Sequence, residues 1–249
     1  MIVTTMGLAE PVLPSMFTGY AVGASVSPFD EAMRGAGQKR LGAGDFLWSP
    51  SETDLRCAVV LEPDVVFERA IEVAPLAMVA IGDALGAIGP PNLGILYRWP
   101  FELLANGALV GRIRMGVPDD AREGAFPDYL VVGFDLAIAR GEFAGEPGLT
   151  ATQTVLHEEG AGELDRTQII EALARHFLTW LDRWENEGFE AVRDLWLFRA
   201  ADRDGAVRVS VAGQVHEGRM AGLDEQCGLI LKTGKTAVTI SLLEAVQGC

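Results

Sequence analysis

The pair Asn106-Gly107 lies between two apolar runs, Glu102–Ala105 and Ala108–Met115. Asparagine and glycine tolerate the positive φ angles of a two-residue turn, so this pattern predicts a β-hairpin. Two further apolar runs, Leu55–Leu61 and Leu130–Ile138, predict buried strands. The middle of the chain is therefore predicted to contain a β-sheet.

The clearest predicted helix runs from Asp165 to Glu187. Its apolar residues recur at helical spacing, and they are Ile170, Leu173, Phe177, Trp180, Leu181 and Trp184. Asp165, with Gln168 three residues later, has the pattern of a capping box. Gly188 follows as a helix stop. The sequence therefore predicts one long amphipathic helix with both ends defined.

Two other segments predict helices. Ser27-Pro28 is typical of a helix start, and the glycines of Gly35-Ala36-Gly37 predict an end near Arg34. A loop is expected from Gln38 to Gly44. A long apolar helix is predicted after Glu62-Pro63-Asp64, running to Ile88 before a proline pair.

The pattern changes after Leu197, where short alternating runs are separated by turn signals. The runs are Ala206–Ala212, Arg219–Leu223, Gly228–Lys232 and Thr236–Leu242, and the turns are Asp204-Gly205, Asp224-Glu225 and Thr233-Gly234. This alternation predicts a small all-β domain. We therefore expect two domains, residues 1–198 and 199–249.

Composition excludes several classes of protein. The chain has 249 residues, and 49% hydrophobic content excludes intrinsic disorder. Its formal net charge of −15 argues against nucleic-acid binding through a basic surface. The most apolar stretch, Val73–Ile88, contains Pro75 and Asp83 and falls short of the about 20 apolar residues that span a bilayer. We therefore expect neither a nucleic-acid nor a membrane partner.

The three cysteines, Cys57, Cys227 and Cys249, are widely spaced and form no C-x-x-C motif. This pattern fits reduced thiols in the cytoplasm. The sequence also contains no metal-ligand spacing of histidines, no P-loop and no G-x-S-x-G elbow. We therefore expect a cytoplasmic protein without a resident metal.

One segment carries a recognisable motif, residues 97–113, which read YRWPFELLANGALVGRI. It resembles the K-W-P-N-D-[IL]-x-x-N-G-x-K-[VL]-[AG]-G-I stretch of biotin protein ligases. Other motifs before and after this segment occur in the family's order: Ser27–Met33, Leu47–Pro50, the helical end Trp180–Phe189 and Gly222–Leu231. The chain thus resembles the biotin/lipoate protein ligase-like family, in its divergent α-proteobacterial branch.

The resemblance implies an α+β fold, a mixed β-sheet with helices on one face as in class II synthetase-like biotin/lipoate ligases. A small C-terminal SH3-like β-barrel would follow. The implied chemistry activates biotin, or a related carboxylic acid such as lipoate or octanoate, with ATP and Mg²⁺. The acyl group would then pass to a lysine of a biotin or lipoyl carrier domain.

The resemblance also implies which residues form the site. Arg98 would take the place of the motif lysine, Trp99 would form a wall of the acyl pocket, and Glu102 would hold the metal. The implied catalytic residues are Arg98 and Glu102, the ligand-binding residues are Ser49, Trp99, Pro100, Leu109, Gly111 and Arg112, and the phosphate-loop candidates are Lys39, Arg40, Gly42 and Gly44.

The chain departs from the family pattern at its charged positions. The second motif lysine falls on Leu109, which cannot stabilise charge on an acyl phosphate. Arg112 lies three residues further, so regular strand alternation predicts that it points to the opposite face. Asp45 stands where the glycine–arginine loop has an arginine, and an anion beside phosphate is unfavourable.

These departures favour a protein that has lost or altered ligase activity and binds a small molecule or a carrier domain. The alternative is an active ligase that adenylates biotin or a related acid. A third reading is a structural or regulatory partner, forming a homodimer through an exposed sheet edge.

Overall fold

The structure is a computed structural model that describes residues 8–141, 152–203 and 205–248. In these ranges the strands are β1 (Thr18–Ala21), β2 (Asp45–Trp48), β3 (Asp54–Leu61), β4 (Ile95–Arg98), β5 (Glu102–Ala105), β6 (Ala108–Gly116), β7 (Leu130–Ala137), β8 (Ala206–Val211), β9 (Gln214–Leu223), β10 (Leu229–Thr233) and β11 (Thr236–Ile240). The helices are α1 (Pro28–Gly37), α2 (Phe67–Ala70), α3 (Val73–Ile88), α4 (Arg166–Glu187), α5 (Glu190–Phe198) and α6 (Leu242–Gln247), with a short π-type turn at His157–Ala161.

The first seven strands form one mixed sheet in the order β1-β2-β3-β7-β6-β5-β4. Strand β1 runs parallel to β2, and every other neighbouring pair in this sheet is antiparallel. The predicted hairpin is confirmed, because β5 and β6 are joined by Asn106 (φ 49°) and Gly107 (φ 95°). The mixed sheet of the predicted α+β fold is present.

Helices α2 to α4 cover one face of this sheet, and α5 packs against α3 and α4. The predicted capping box is present at the start of α4. The Asp165 carboxylate accepts a hydrogen bond from the Gln168 N–H (2.8 Å), and the Gln168 side chain accepts one from the Asp165 N–H (3.0 Å). The helix stops at Gly188, whose φ is 84°. Local sequence signals therefore define both ends of α4.

The single long helix predicted after Asp64 is instead divided into α2 and α3. The division falls at Ile71 and Glu72, just before Pro75. A proline has no N–H to donate to the carbonyl four residues earlier, so it is tolerated only in the first turn of a helix. Pro75 therefore requires a helix to begin shortly before it.

Helix α1 lies on the opposite face of the sheet, over one end only. The Ser27 side chain accepts a hydrogen bond from the Asp30 N–H (3.3 Å), as expected for the predicted helix start. The helix continues to Gly37, beyond the end predicted near Arg34. Its Phe29 packs against Gly133, where a Cβ atom would lie 2.6 Å from the ring. The other end of this face is not covered by α1.

The last four strands form a separate antiparallel sheet in the order β11-β10-β9-β8. This confirms the predicted short strands after Leu197 and resembles the small barrel implied by the family. The structure adds α6 after them. Asp204 of the predicted Asp204-Gly205 turn and Cys249 lie outside the described residues. One hydrophobic cluster includes residues of both sheets.

Within the described ranges, one segment is long and apolar enough to cross a membrane, residues 67–88, with a mean hydropathy of 1.7. This segment is α2 with α3. Its most apolar window is 78% buried among α4 and the sheet. Packing in the protein core therefore accounts for its hydrophobicity, as the sequence predicted for Val73–Ile88.

Candidate functional site

A cavity of about 320 Å³ opens on the sheet face that carries α1, at the end that α1 leaves uncovered. It lies over β3, β7, β6 and β5. The lining residues are Asp54, Leu55, Arg56, Glu102, Leu109, Val110, Gly111, Arg112, Asp135, Leu136, Ala137, Gln153 and Thr154. Charged side chains and apolar side chains therefore meet in one concave site.

A row of alternating charges crosses five strands beneath this cavity. Arg56 on β3 pairs with Asp135 on β7, and Asp135 pairs with Arg112 on β6. Arg112 in turn pairs with Glu102 on β5, and Glu102 with Arg98 on β4. Opposite charges on directly facing residues stabilise neighbouring strands where the side chains are in contact. The strand register therefore places these five charges side by side on one face of the sheet.

Both ends of the charge row are closed by ion pairs. Arg98 Nη1 donates to Glu102 Oε2 (3.2 Å), and Arg98 Nε donates to Asp202 Oδ2 (3.1 Å). At the other end Arg56 Nη2 donates to Asp54 Oδ2 (3.3 Å). The charges of Arg98, Glu102, Arg56 and Asp54 are thus largely satisfied within the protein. Arg98 itself is not among the residues that line the cavity.

The two residues at the centre of the charge row are Arg112 and Asp135. Among the described residues, neither the Arg112 guanidinium nor the Asp135 carboxylate has a hydrogen-bonding or ion-pairing partner at contact distance. Burial raises the pKa of Asp135, and the nearby guanidinium groups of Arg114, Arg112 and Arg56 oppose this only in part. Arg112 and Asp135 are therefore the cavity groups best able to interact with a bound molecule.

Replacing Asp135 by Asn is expected to stabilise the protein near neutral pH. The folded-state pKa of Asp135 lies above its ordinary value of 3.8, so the folded protein holds this proton more tightly than the unfolded chain. The destabilisation caused by the ionised Asp135 carboxylate is absent below pH 3.8, grows as the pH rises, and is complete above the raised pKa. Thermal unfolding of both proteins from about pH 4 to about pH 8 measures this effect. A Tm difference that does not grow with pH would contradict this assignment.

Leu109 and Arg112 share one face of β6, so the prediction that they point to opposite faces is wrong. Gly111 pairs with Leu103 but Leu109 pairs with Leu104, which makes Val110 the extra residue of a β-bulge. Val110 is buried in the core at 3% exposure. The bulge cancels one step of the alternation and brings Arg112 to the same cavity as Leu109.

A short segment that the sequence reasoning did not assign to the site forms one wall of the cavity. The Leu109 N–H donates to the Thr152 carbonyl, and the Thr154 N–H donates to the Leu109 carbonyl, both at 2.9 Å. The Thr154 hydroxyl donates to Glu159 (2.6 Å), which also accepts from the Asn106 amide (2.9 Å). The predicted turn residue Asn106 therefore anchors this wall.

The sequence-based prediction of the site also did not include Asp135, Arg56 and Asp54. A charged residue inside the apolar run Leu130–Ile138 was the available signal for Asp135, because an ionised group in a buried strand requires a partner. Arg56 gave the same signal inside the apolar run Leu55–Leu61, but the strand register that brings it to this cavity could not be derived from local sequence.

Trp99, Pro100 and Ser49 are not among the cavity-lining residues. Trp99 is 6% exposed, and its Nε1–H donates to the carbonyl of Cys227 in the connection between β9 and β10 (3.0 Å). The bond between Trp99 and Pro100 is cis. Ser49 is 2% exposed, and its carbonyl accepts from Arg166 Nη1 (2.9 Å). The structure thus places Trp99 between the two sheets.

The phosphate-loop candidates Lys39, Arg40, Gly42 and Gly44 lie at the other end of β3. The Gly44 N–H donates to the Val60 carbonyl (2.9 Å), whereas the cavity adjoins Asp54–Arg56. Val60 and Arg56 are four residues apart on β3, which at a rise of about 3.3 Å each separates the loop from the cavity by roughly 13 Å along the strand. Asp45 closes this loop by accepting from the Gly42 N–H (2.8 Å).

The connection beside the cavity supplies no cation for the phosphates of ATP. Phosphate binding requires cations or several converging N–H groups. The β2–β3 connection at the cavity end, residues 49–53, contains no Lys, Arg or Gly. The described residues also contain no cluster of three or more His, Cys, Asp or Glu that could hold a metal ion. Arg56 and Arg112 are therefore the cations that the described lining of the cavity offers to an anionic group.

Comparisons with known proteins agree with this architecture. Residues 13–198 match the profile of the Biotin/lipoate A/B protein ligase family. A biotin–[acetyl-CoA-carboxylase] ligase of Paracoccus denitrificans is 28% identical over 176 residues, which are 70% of this chain and 72% of the relative. The sequence match thus covers most of both chains.

Solved structures match over both sheets. A biotin protein ligase-like protein of unknown function from Silicibacter sp. TM1040 has a TM-score of 0.82 at 31% identity, covering 96% of this chain and 98% of the other. The biotin protein ligase of Aquifex aeolicus in complex with biotin and ATP has a TM-score of 0.72 at 15% identity, covering 90% and 96%. The second match supports the fold alone.

Proposed function

The chain belongs to the Biotin/lipoate A/B protein ligase family, and from that premise we propose that it binds a small carboxylic acid without adenylating it. The acid lies in the cavity over β5, β6, β7 and β3. Arg112 binds its carboxylate, and its apolar part lies against Leu109 and Ala137. The protein is thus a binding protein on a ligase fold.

The observation that carries this proposal is the bulge at Val110. Because of the bulge, the Arg112 side chain faces the cavity. It lies close to Leu109, which stands at the position of the family's lysine. Arginine presents a planar fork of N–H donors that matches the geometry of a carboxylate. A volume of about 320 Å³ is also within the usual range for small-molecule sites.

The loss of adenylation is supported by the positions of the cations. Lys39 and Arg40 adjoin the opposite end of β3 from the cavity, and residues 49–53 supply no positive charge. Glu102 is paired with Arg98 at 3.2 Å, which offsets the negative charge that it would bring to a metal. Transfer of an adenylate requires positive charge placed where the phosphate charge develops.

The proposal is tested by ATP–pyrophosphate exchange and thermal stabilisation, each measured with biotin, lipoate and octanoate in the presence of Mg²⁺. We expect one acid to raise the Tm and none to support exchange. The Aquifex aeolicus biotin protein ligase with biotin is the positive control for exchange. Stabilisation by no acid, or exchange above background with any acid, would overturn the proposal.

An active ligase is the second candidate. It is favoured by the match to a Paracoccus denitrificans biotin ligase across 70% of this chain. In that case exchange would be observed and the acceptor would be a lysine of a biotin or lipoyl carrier domain.

We further propose that the protein is cytoplasmic and that residues 199–249 form a separate SH3-like domain. The assembly that we propose to test is a homodimer formed through a sheet edge.

A further inference from the structure

The charges that line the cavity suit a ligand with both a carboxylate and a cation better than a ligand with a carboxylate alone. Arg98 neutralises Glu102 and Arg56 neutralises Asp54, so Arg112 and Asp135 leave one positive and one negative charge in the cavity. The whole chain carries a formal net charge of −15. A ligand that brought only a carboxylate would increase the local negative charge, which opposes its entry. A ligand that also carried a cation would avoid this cost.

One carboxylate and one guanidinium in the cavity have no contact partner among the described residues. Glu102 is paired with Arg98 (3.2 Å), and Asp54 is paired with Arg56 (3.3 Å). Arg112 and Asp135 face each other on β6 and β7. Directly opposite residues of an antiparallel pair have Cβ atoms about 4.5–5.5 Å apart. A cation and an anion of a ligand would therefore need to be close neighbours to meet them both.

We propose that the acid bound in this cavity is an α-amino acid with an apolar side chain, an inference that rests on the function proposed above. Arg112 binds the α-carboxylate and Asp135 accepts hydrogen bonds from the α-ammonium group. In an α-amino acid both groups are attached to one carbon atom, which suits two side chains on facing positions of neighbouring strands. The apolar side chain lies against Leu109 and Ala137.

Calorimetric titration with three ligands of equal chain length tests this inference: L-2-aminooctanoate, octanoate and octylamine. We expect L-2-aminooctanoate to bind about tenfold or more tightly than octanoate, because hydrogen bonds to charged groups are the stronger class. Octylamine, which lacks the carboxylate, is expected to bind more weakly than either. The comparison uses the unmodified protein, so it does not depend on how any variant folds.

Two variants then test which residues cause the preference for L-2-aminooctanoate over octanoate. Asp135→Asn is expected to reduce the affinity ratio between L-2-aminooctanoate and octanoate to about one. Arg112→Gln is expected to weaken binding of both. Arg208→Gln is the matched control, because Arg208 lies on β8 of the second sheet, 73% exposed, and pairs with Glu217 (3.3 Å). A ratio that survives Asp135→Asn would overturn the assignment of Asp135.

The results distinguish this inference from the function on which it rests. Equal binding of octanoate and L-2-aminooctanoate would overturn the amino-acid inference and leave the acid-binding function in place. Tighter binding of octylamine than of either acid would overturn both, because the cavity would then select a cation. The absence of binding by every acid tested, including biotin and lipoate, would also overturn both.

Discussion

Arg112→Ala is expected to weaken acid binding by about tenfold to a hundredfold, the usual worth of a hydrogen-bonded contact to a charged group. Arg112 is the cavity cation without a contact partner among the described residues, whereas Arg56 is held by Asp54. The affinity is measured by calorimetry with whichever of biotin, lipoate and octanoate binds most tightly to the unmodified protein. The fold is expected to tolerate the change, because Arg112 is exposed at the cavity surface.

Arg208→Ala is the control for this experiment. It removes an arginine of a β-strand on the distant second sheet and is expected to leave the acid affinity unchanged. An Arg112→Ala variant that binds the acid as tightly as the Arg208→Ala variant would contradict the role assigned to Arg112. The carboxylate would then have to be bound by Arg56 or by backbone N–H groups.

Trp99→Ala is expected to lower the free energy of unfolding by about 3–5 kcal/mol, the range for removing a large buried aromatic side chain. Trp99 is 6% exposed, and its indole N–H donates to the Cys227 carbonyl at 3.0 Å. It therefore connects the large sheet to the small one. Denaturant unfolding monitored by fluorescence and circular dichroism measures the loss.

Trp99→Phe separates packing from the hydrogen bond. It keeps most of the ring and leaves the Cys227 carbonyl without its donor, so the expected loss is about 1–3 kcal/mol. Phe198→Ala, at a side chain 74% exposed, is the control and is expected to change stability by less than about 0.5 kcal/mol. A Trp99→Phe variant that keeps its stability but loses acid binding would instead support the role that the family resemblance implies, in which Trp99 forms a wall of the acyl pocket.

Elements defined by local chemistry could be predicted from the sequence. The Asn106-Gly107 turn requires positive φ angles that few other residue pairs accept, and the observed angles are 49° and 95°. The capping box of Asp165 and Gln168 is likewise complete within four residues. In both cases the determining interactions lie within one turn of the chain, so no knowledge of distant contacts is required.

The candidate site could not be predicted in the same way, because it depends on strand register. Gly111 inside the strand was a local signal for a bulge, but it does not fix the register, and the bulge at Val110 reverses the face on which Arg112 lies. The row of charges from Arg56 to Arg98 joins residues of five strands, and each step depends on a separate pairing. A shift of one residue in any pair would have broken it.

The phosphate-loop prediction illustrates a related difficulty. Glycines and basic residues at Lys39–Gly44 precede Trp48-Ser49-Pro50 in the sequence, as a glycine–arginine loop does in the family. However, β2 (Asp45–Trp48) lies between this loop and Ser49-Pro50, and it carries the chain along β3 toward the cavity. Proximity in sequence therefore did not give proximity to the cavity.

The most direct test of the account is calorimetric titration of the unmodified protein with its best acid, with and without ATP and Mg²⁺. Acid binding through side chains of the cavity requires no nucleotide, so the account predicts the same affinity under both conditions and no heat of binding from ATP itself. A measurable affinity for ATP, or an acid affinity that rises when ATP and Mg²⁺ are present, would contradict the claim that this ligase fold has become a binding protein.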